Sequence, residues 1–220
     1  MTRFLKSPPA FLVLLSLCAT VWFFGCAGKP TRVDRPPDEL YRLAQDAVED
    51  EDYEDAESLI NQIRDEFPFS KYAMEAELLS ADMAYKRESW EEAAAGYRSF
   101  EELHPTHPKI PYVIYRRGLA YFELSLPTDR DQTGTRNAVE ALQKLLFAHP
   151  KSEYAADASA RLTELRDRLA AHELYVARYY ARKDKYDAAL KRLQGLVQNY
   201  PDSRYRDEAL ELALKLEANK

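Results

Sequence analysis

Apolar side chains recur at offsets 0, 3, 7, 10 and 14 in four segments of this chain. The first segment reads Tyr53, Ala56, Ile60, Ile63, Phe67, and the second Trp90, Ala93, Tyr97, Phe100, His104. The third is Thr135, Ala138, Leu142, Leu145, His149, and the fourth Tyr186, Ala189, Leu193, Leu196, Tyr200. Steps of three and four place these side chains on one stripe of an α-helix. A proline follows each segment at once, as Pro68, Pro105, Pro150 and Pro201. Proline cannot continue the helical hydrogen-bond ladder, so four helices are predicted to stop at the same point of the pattern.

Past three of the prolines the pattern restarts, at Ser70-Lys71-Tyr72, Ser152-Glu153-Tyr154 and Ser203-Arg204-Tyr205. Serine is a good N-cap, because its oxygen accepts from a free N–H of the first turn. Each proline-terminated helix is therefore expected to be followed by a helix capped at that Ser. The distance from Ala to Pro is 12 in all four units, and Ala44 and Ala81 each precede the ladder Ala by a further 12. Small residue, Ala and Pro at these intervals resembles the tetratricopeptide repeat, a helix pair stacked into a solenoid. Prolines this frequent argue against a continuous coiled coil.

Two units depart from the interval. Gly118 precedes Ala138 by 20 rather than 12, and the extra residues fall in the loop-like stretch 125–134. Pro150 precedes Ala177 by 27, where Pro68 precedes Ala81 by 13. The additional residues contain no Pro or Gly, and fourteen residues make about four helical turns. Whole turns keep the apolar face in register, so one helix of roughly 30 residues is predicted over about 153–182. The expected fold is an all-α, tetratricopeptide-like solenoid of antiparallel helix pairs. Pairs are placed at about 38–68, 70–105, 109–150 and 152–201, with a long bridging helix and a terminal capping helix over 203–218.

The N-terminus reads differently. Arg3 and Lys6 precede a 15-residue apolar run from Ala10 to Phe24, too short for a membrane span and suited to a secretory signal. Gly25-Cys26 after that run is a lipoprotein cleavage site, with Phe23 where Leu is usual. Residues 1–25 are read as the signal peptide, and Cys26 as a mature first residue carrying diacylglycerol on sulfur and a further acyl chain (palmitate-type) on its amine. Several chains anchor stably where one is marginal. Residues 26–37 hold Gly28, Pro30, Pro36 and Pro37 and read as a tether. Ala27, where Asp would retain a lipoprotein at the inner membrane, favours the outer membrane. Of 31 basic residues, Arg3 and Lys6 leave with the signal, so 29 face 37 acidic residues. That balance argues against a nucleic-acid partner. Cys18 also leaves, so no disulfide is expected in the mature fold.

No catalytic constellation, phosphate loop or zinc-protease motif stands out, so the chain is read as a non-enzyme with no cofactor. His104 and His107 flank Pro105 and are read as turn residues rather than metal ligands.

One series of residues is more specific than the repeat. It runs from His107-Pro108-Lys109-Ile110-Pro111-Tyr112 into Tyr115-Arg116-Arg117-Gly118-Leu119. It continues with Asp129-Arg130-Asp131 and Pro150-Lys151-Ser152-Glu153-Tyr154, then Arg161-Leu162, Asp167-Arg168-Leu169-Ala170, Glu173 and Tyr179-Tyr180. With the lipobox and helix pairs, this resembles the YfiO/ComL-like tetratricopeptide lipoproteins of the outer-membrane β-barrel assembly machinery. The resemblance implies a lipid-anchored protein on the periplasmic face of the outer membrane. Its C-terminal half would dock a BamA-like barrel insertase, with other assembly lipoproteins in the complex, and Arg192 falls at the position implied for that contact. Its N-terminal half would receive the C-terminal segments of unfolded outer-membrane proteins. Phe67, Phe69, Tyr72 and Tyr85 are the groove candidates, beside Lys71 or Lys86 to meet a carboxylate. An envelope scaffold for peptidoglycan enzymes or Tol–Pal, or a secretin pilotin, would also keep the lipobox and helix pairs. Neither accounts for the long helix joined to the Arg-Gly and Asp-Arg-Asp segments.

Overall fold

In the computed structural model, which describes residues 35–218, each of the four prolines follows a helix that ends at the same register. Among the described residues there are nine helices and no strand. They are α1 (Pro37–Glu49), α2 (Tyr53–Glu66), α3 (Lys71–Lys86), α4 (Trp90–Leu103), α5 (Ile110–Glu123), α6 (Thr133–Ala148), α7 (Ala155–Ala181), α8 (Tyr186–Asn199) and α9 (Arg206–Ala218). Successive helices pack antiparallel in pairs, which gives an all-α tetratricopeptide-like solenoid over Pro37–Ala218. The signal segment, Gly25, Cys26 and most of the tether lie outside the described residues.

The chain breaks in one repeated way. The residue before each proline closes the helix at φ/ψ of −130/47 for Phe67, −127/53 for His104, −133/58 for His149 and −131/57 for Tyr200. The following proline's ring disfavours the α conformation at these positions, which forces the exit. Within the pairs, three turns pass through left-handed residues that are not glycine: Glu51 at φ 62, Glu88 at 58 and Asp184 at 56.

The ladder alanines sit at the centre of the helix packing. Ala56, Ala93, Ala138 and Ala189 are all fully buried. Gly118 takes this logic further, because a Cβ there would sit 2.5 Å from Leu142 Cδ2. The core is three clusters in series rather than one mass, as stacked repeats require. Leu165 of α7 belongs to the middle cluster, and Ala170, Leu174 and Ala177 to the last. The 27-residue α7 thus joins two cores along one rod.

The loop that lengthens the third pair is stapled by Gln132, itself buried. Its Nε2 donates to the carbonyls of Pro127 (2.9 Å) and Arg130 (3.1 Å), and its Oε1 accepts from Thr135 Oγ1 (2.9 Å).

Two of the expected caps are corrected. Ser70 caps α3, its Oγ accepting from Ala73 N at 3.2 Å. Ser152 and Ser203 do not cap helices. Their Oγ atoms accept from Tyr154 N and Tyr205 N at 3.3 Å, two residues on, and α7 and α9 start only at Ala155 and Arg206. A serine bonded two residues ahead closes a local turn instead of a helix N-terminus.

Candidate functional site

The first helices of successive pairs line one face of the solenoid, and α1, α3 and α5 together enclose a cavity of about 210 Å³ there. Gln45, Val48 and Glu49 of α1, Leu79, Asp82 and Lys86 of α3, and Tyr112 and Arg116 of α5 line it. Asp82 Oδ1 accepts from the hydroxyls of Tyr97 (2.6 Å) and Tyr112 (2.7 Å), and Arg116 Nε donates to Tyr97 Oη (3.2 Å). The Arg116 guanidinium lies 3.6 Å from the centre of the Tyr85 ring, a close cation–π contact. Burial, with Asp82 nearby, pushes the Tyr97 and Tyr112 phenols well above their usual range, so both remain donors to the carboxylate. Among the described residues no carboxylate lies within ion-pair distance of Arg116. Lys86 Nζ, across the cavity, donates to Val48 O at 3.4 Å. Two cations, Lys86 and Arg116, therefore share this pocket with two carboxylates, Glu49 and an Asp82 that already holds two tyrosines. Such a spot suits an incoming carboxylate flanked by an apolar or aromatic side chain.

The face continues toward α7. Tyr115 and Tyr154 stack at 4.8 Å and 17°. Asp157 accepts from the Tyr115 hydroxyl and from Arg161 Nε, both at 2.6 Å. The Tyr115 hydrogen bond, followed by Arg161, holds the Asp157 carboxyl below the usual range.

The four aromatic groove candidates do not share one pocket. Phe67 and Tyr72 are half-buried against the first core, with Tyr72 5.8 Å from the Tyr41 ring and under the Lys71 ammonium at 4.9 Å. Phe69, in the turn between them, is fully exposed. Tyr85 lies thirteen residues beyond Tyr72 on α3, about 20 Å along the axis. It joins the Arg116 group instead. The sequence pattern does not bring Asp82, Tyr97, Tyr112 and Arg116 together as a cluster. Only the Tyr112/Arg116 spacing of four hinted that those two share a helix face.

At the other end, Arg192 of α8 is 45% exposed and pairs with Glu173 of α7 at 3.1 Å. Both line an open groove of about 530 Å³ with Tyr180, Ala188, Lys191 and Gly195. Nothing lies within 4 Å of where a Gly195 Cβ would stand. His104 and His107 are struts of the second turn: His104 Nε2 bonds Glu77 at 2.8 Å, and His107 lies 3.7 Å from Glu75.

Fold and surface together define a helical-repeat scaffold without a membrane-crossing helix among the described residues. The chain belongs to the YfiO family of outer membrane lipoproteins, whose profile matches residues 33–220. It is 36% identical over 216 residues to the outer membrane protein assembly factor BamD of Neisseria gonorrhoeae, covering 91% of this chain and 80% of that protein. The factor of the same name from Vibrio cholerae is 32% identical over 217 residues (93% and 90% covered). That from Caulobacter vibrioides is 28% identical over 215 residues (96% and 70%).

Proposed function

We propose that this chain is a non-catalytic subunit of the machinery that folds and inserts outer-membrane β-barrel proteins. One observation carries the reading: relatives named outer membrane protein assembly factor align over about nine-tenths of the chain. In this reading, cleavage between Gly25 and Cys26 and acylation of Cys26 tether the solenoid to the periplasmic face of the outer membrane. The C-terminal half docks a BamA-like insertase through the groove around Arg192. That guanidinium is exposed and held in place by Glu173, so it is preorganised for an acidic partner surface. The N-terminal half receives unfolded clients on the face of α1, α3 and α5. Arg116 and Lys86 meet a client's terminal carboxylate there, and Tyr85 and Tyr112 meet its aromatic side chain. Of the groove candidates this keeps Tyr85.

The test is a mild-detergent pull-down of the lipidated chain from its own outer membrane, beside an Arg192→Glu variant. Recovery of the large barrel insertase with the wild type, weakened in the variant, is expected. Recovery with both forms discards Arg192 and keeps the function. Recovery of peptidoglycan enzymes or a secretin in its place overturns the reading.

A further inference from the structure

Every turn that leads from one pair to the next lies on one edge of the solenoid in its first three pairs. Contacts between successive starting helices fix this. Tyr41 near the start of α1 meets Tyr72 at the start of α3, Lys109 before α5 bonds Glu75 of α3 at 2.7 Å, and Tyr112 of α5 lies 6.0 Å from Tyr154 at the start of α7. The chain also enters α1, at Pro37, on this edge.

Three large apolar side chains stand out along that edge. Phe69 is 102% exposed, Phe147 91% and Leu103 64%. Each belongs to the end of a helix or to the turn beyond it: Phe69 after α2, Leu103 ending α4, Phe147 in the last turn of α6. Nothing in the fold asks for them, since the core ladders are complete without them.

The fourth turn supplies the contrast. Because α7 is longer, that turn does not reach the edge. Ser203 Oγ donates to Asp167 Oδ1 at 2.6 Å, and Asp167 lies twelve residues into α7 from Ala155, about 18 Å along its axis. There the corresponding exposed residues are Gln198, Asn199 and Asp202. Among the turns between pairs, exposed apolar side chains thus occur in those that share an edge with the chain's entry and give way to polar ones in the set-back turn; away from these turns Leu126, in the loop of the third pair, and Leu214, on α9, are also exposed.

We propose that this edge rests on the membrane leaflet to which the chain is anchored, with Phe69, Leu103 and Phe147 in the headgroup–acyl boundary. The proposal rests on the reading of Cys26 as the lipid anchor. Ten residues, 27–36, separate Cys26 from α1, a reach of at most about 35 Å, which lets the edge settle on the leaflet surface. Tethering makes the contact intramolecular, and three side chains that would partition weakly alone then suffice. Charge does not decide it: Lys71, Lys109 and Lys151 on the edge are matched by Glu66, Glu102 and Glu153. The apolar side chains carry the contact. The long helix then has a geometric consequence, since it lifts the Arg192 end of the solenoid's fourth turn away from the lipid.

The experiment uses the full lipidated chain in vesicles of phosphatidylethanolamine and phosphatidylglycerol. A polarity-sensitive fluorophore is placed at the exposed edge residue Thr106 through Thr106→Cys, or at the set-back turn through Asp202→Cys. Quenching by spin-labelled lipid is expected to be several-fold stronger at 106 than at 202. It is expected to fall to the 202 level when Phe69→Ser and Phe147→Ser are added. Both side chains are exposed, so these changes leave the fold intact. Equal quenching at the two positions, or quenching at 106 that survives the double change, overturns the edge contact while leaving the anchor standing. A chain that fails to float with the vesicles removes the anchor reading, and this proposal with it.

Discussion

Glu101 of α4 and Arg117 of α5 face each other at 3.0 Å with less than one-tenth of either side chain exposed. Lys144 of α6 lies 2.6 Å from the other carboxylate oxygen but is 55% exposed. These contacts are ionic without aligned hydrogen bonds: both Glu101 oxygens and Arg117 Nε lack a hydrogen-bond partner among the described residues. Attraction must therefore offset the desolvation of two ions with little help from directional bonding, an arrangement that adds little net stability. Removing one partner is a different matter, because it strands a buried charge at about 3–5 kcal/mol. The two single changes are unequal. Glu101→Leu leaves Arg117 buried beside a second cation and is expected at the upper end, about 5 kcal/mol. Arg117→Met leaves Glu101 with Lys144, whose solvent-screened pairing recovers at most about 1 kcal/mol, so a cost near 3 kcal/mol is expected. The double change Glu101→Leu with Arg117→Met removes both charges and is expected within about 1 kcal/mol of wild type. Urea unfolding followed by helical circular dichroism measures all four proteins, and an unchanged m-value licenses the comparison. Independent sites would add to within about 0.5 kcal/mol. Additive single effects, or an Arg117→Met cost below about 1 kcal/mol, would refute the reasoning.

Gly118→Ala drives a Cβ to 2.5 Å from Leu142, so a loss of about 1–3 kcal/mol from overpacking is expected in the same assay. Gly195→Ala, with open space around it, is expected to raise stability by up to about 1 kcal/mol through helix propensity. If the insertase seats against that open position, the same change weakens the pull-down while stabilising the chain. Glu88→Gly relieves a left-handed backbone at φ 58 and is expected to stabilise by roughly 0.5–1 kcal/mol. Burial first, then Glu75 and Asp82, raise the Tyr41 phenol to about 12. Its folded pKa lies above the unfolded value near 10, so its contribution is intact below pH ~10 and is lost as pH rises from there toward ~12. Unfolding midpoints that stay flat across that window, in a chain whose tyrosinate absorbance shows late titration, would contradict this assignment.

The ladder was legible because it reports on packing that repeats. Every ladder alanine is buried, and the helix expected over about 153–182 runs Ala155–Ala181, since whole-turn insertions cannot hide from a periodic pattern. The caps expected at Ser152 and Ser203 fail for a local reason. A serine two residues before a turn and one that caps a helix have the same sequence signature, and only the backbone decides between them. The candidate site was less legible. Arg116, Tyr85 and Asp82 come together from helices whose residues are about thirty positions apart, and spacing along one helix carries no information about a cation crossing to a ring on another. Phe69 and Tyr72 are three positions apart, yet one is fully exposed and the other half-buried against the first core. The composition of an aromatic-rich turn cannot say which ring faces the core and which faces out.

The two ends of the molecule are held apart by one device. In the first three pairs each starting helix begins beside its predecessor, so their turns share an edge and their inner faces form one surface. The first eleven residues of α7, 155–165, repeat that arrangement: Tyr154 just before it stacks on Tyr115, and Leu165 fills the middle core. Four further turns of the same helix then present Ala170, Leu174 and Ala177 to α8 and α9. The helix carries no Pro or Gly, and it is crossed by ties along its length, with Arg166 Nη2 donating to Asn199 O at 3.0 Å and Asp167 accepting from Ser203. A hinge needs a break in such a rod, and none is present in α7. The face that holds Arg116 and the groove that holds Arg192 are therefore set at a fixed offset. Under the proposed function, a ligand on the Arg116 face and one in the Arg192 groove would be coupled through this rod, by movement of the whole solenoid or by competition for a shared ligand.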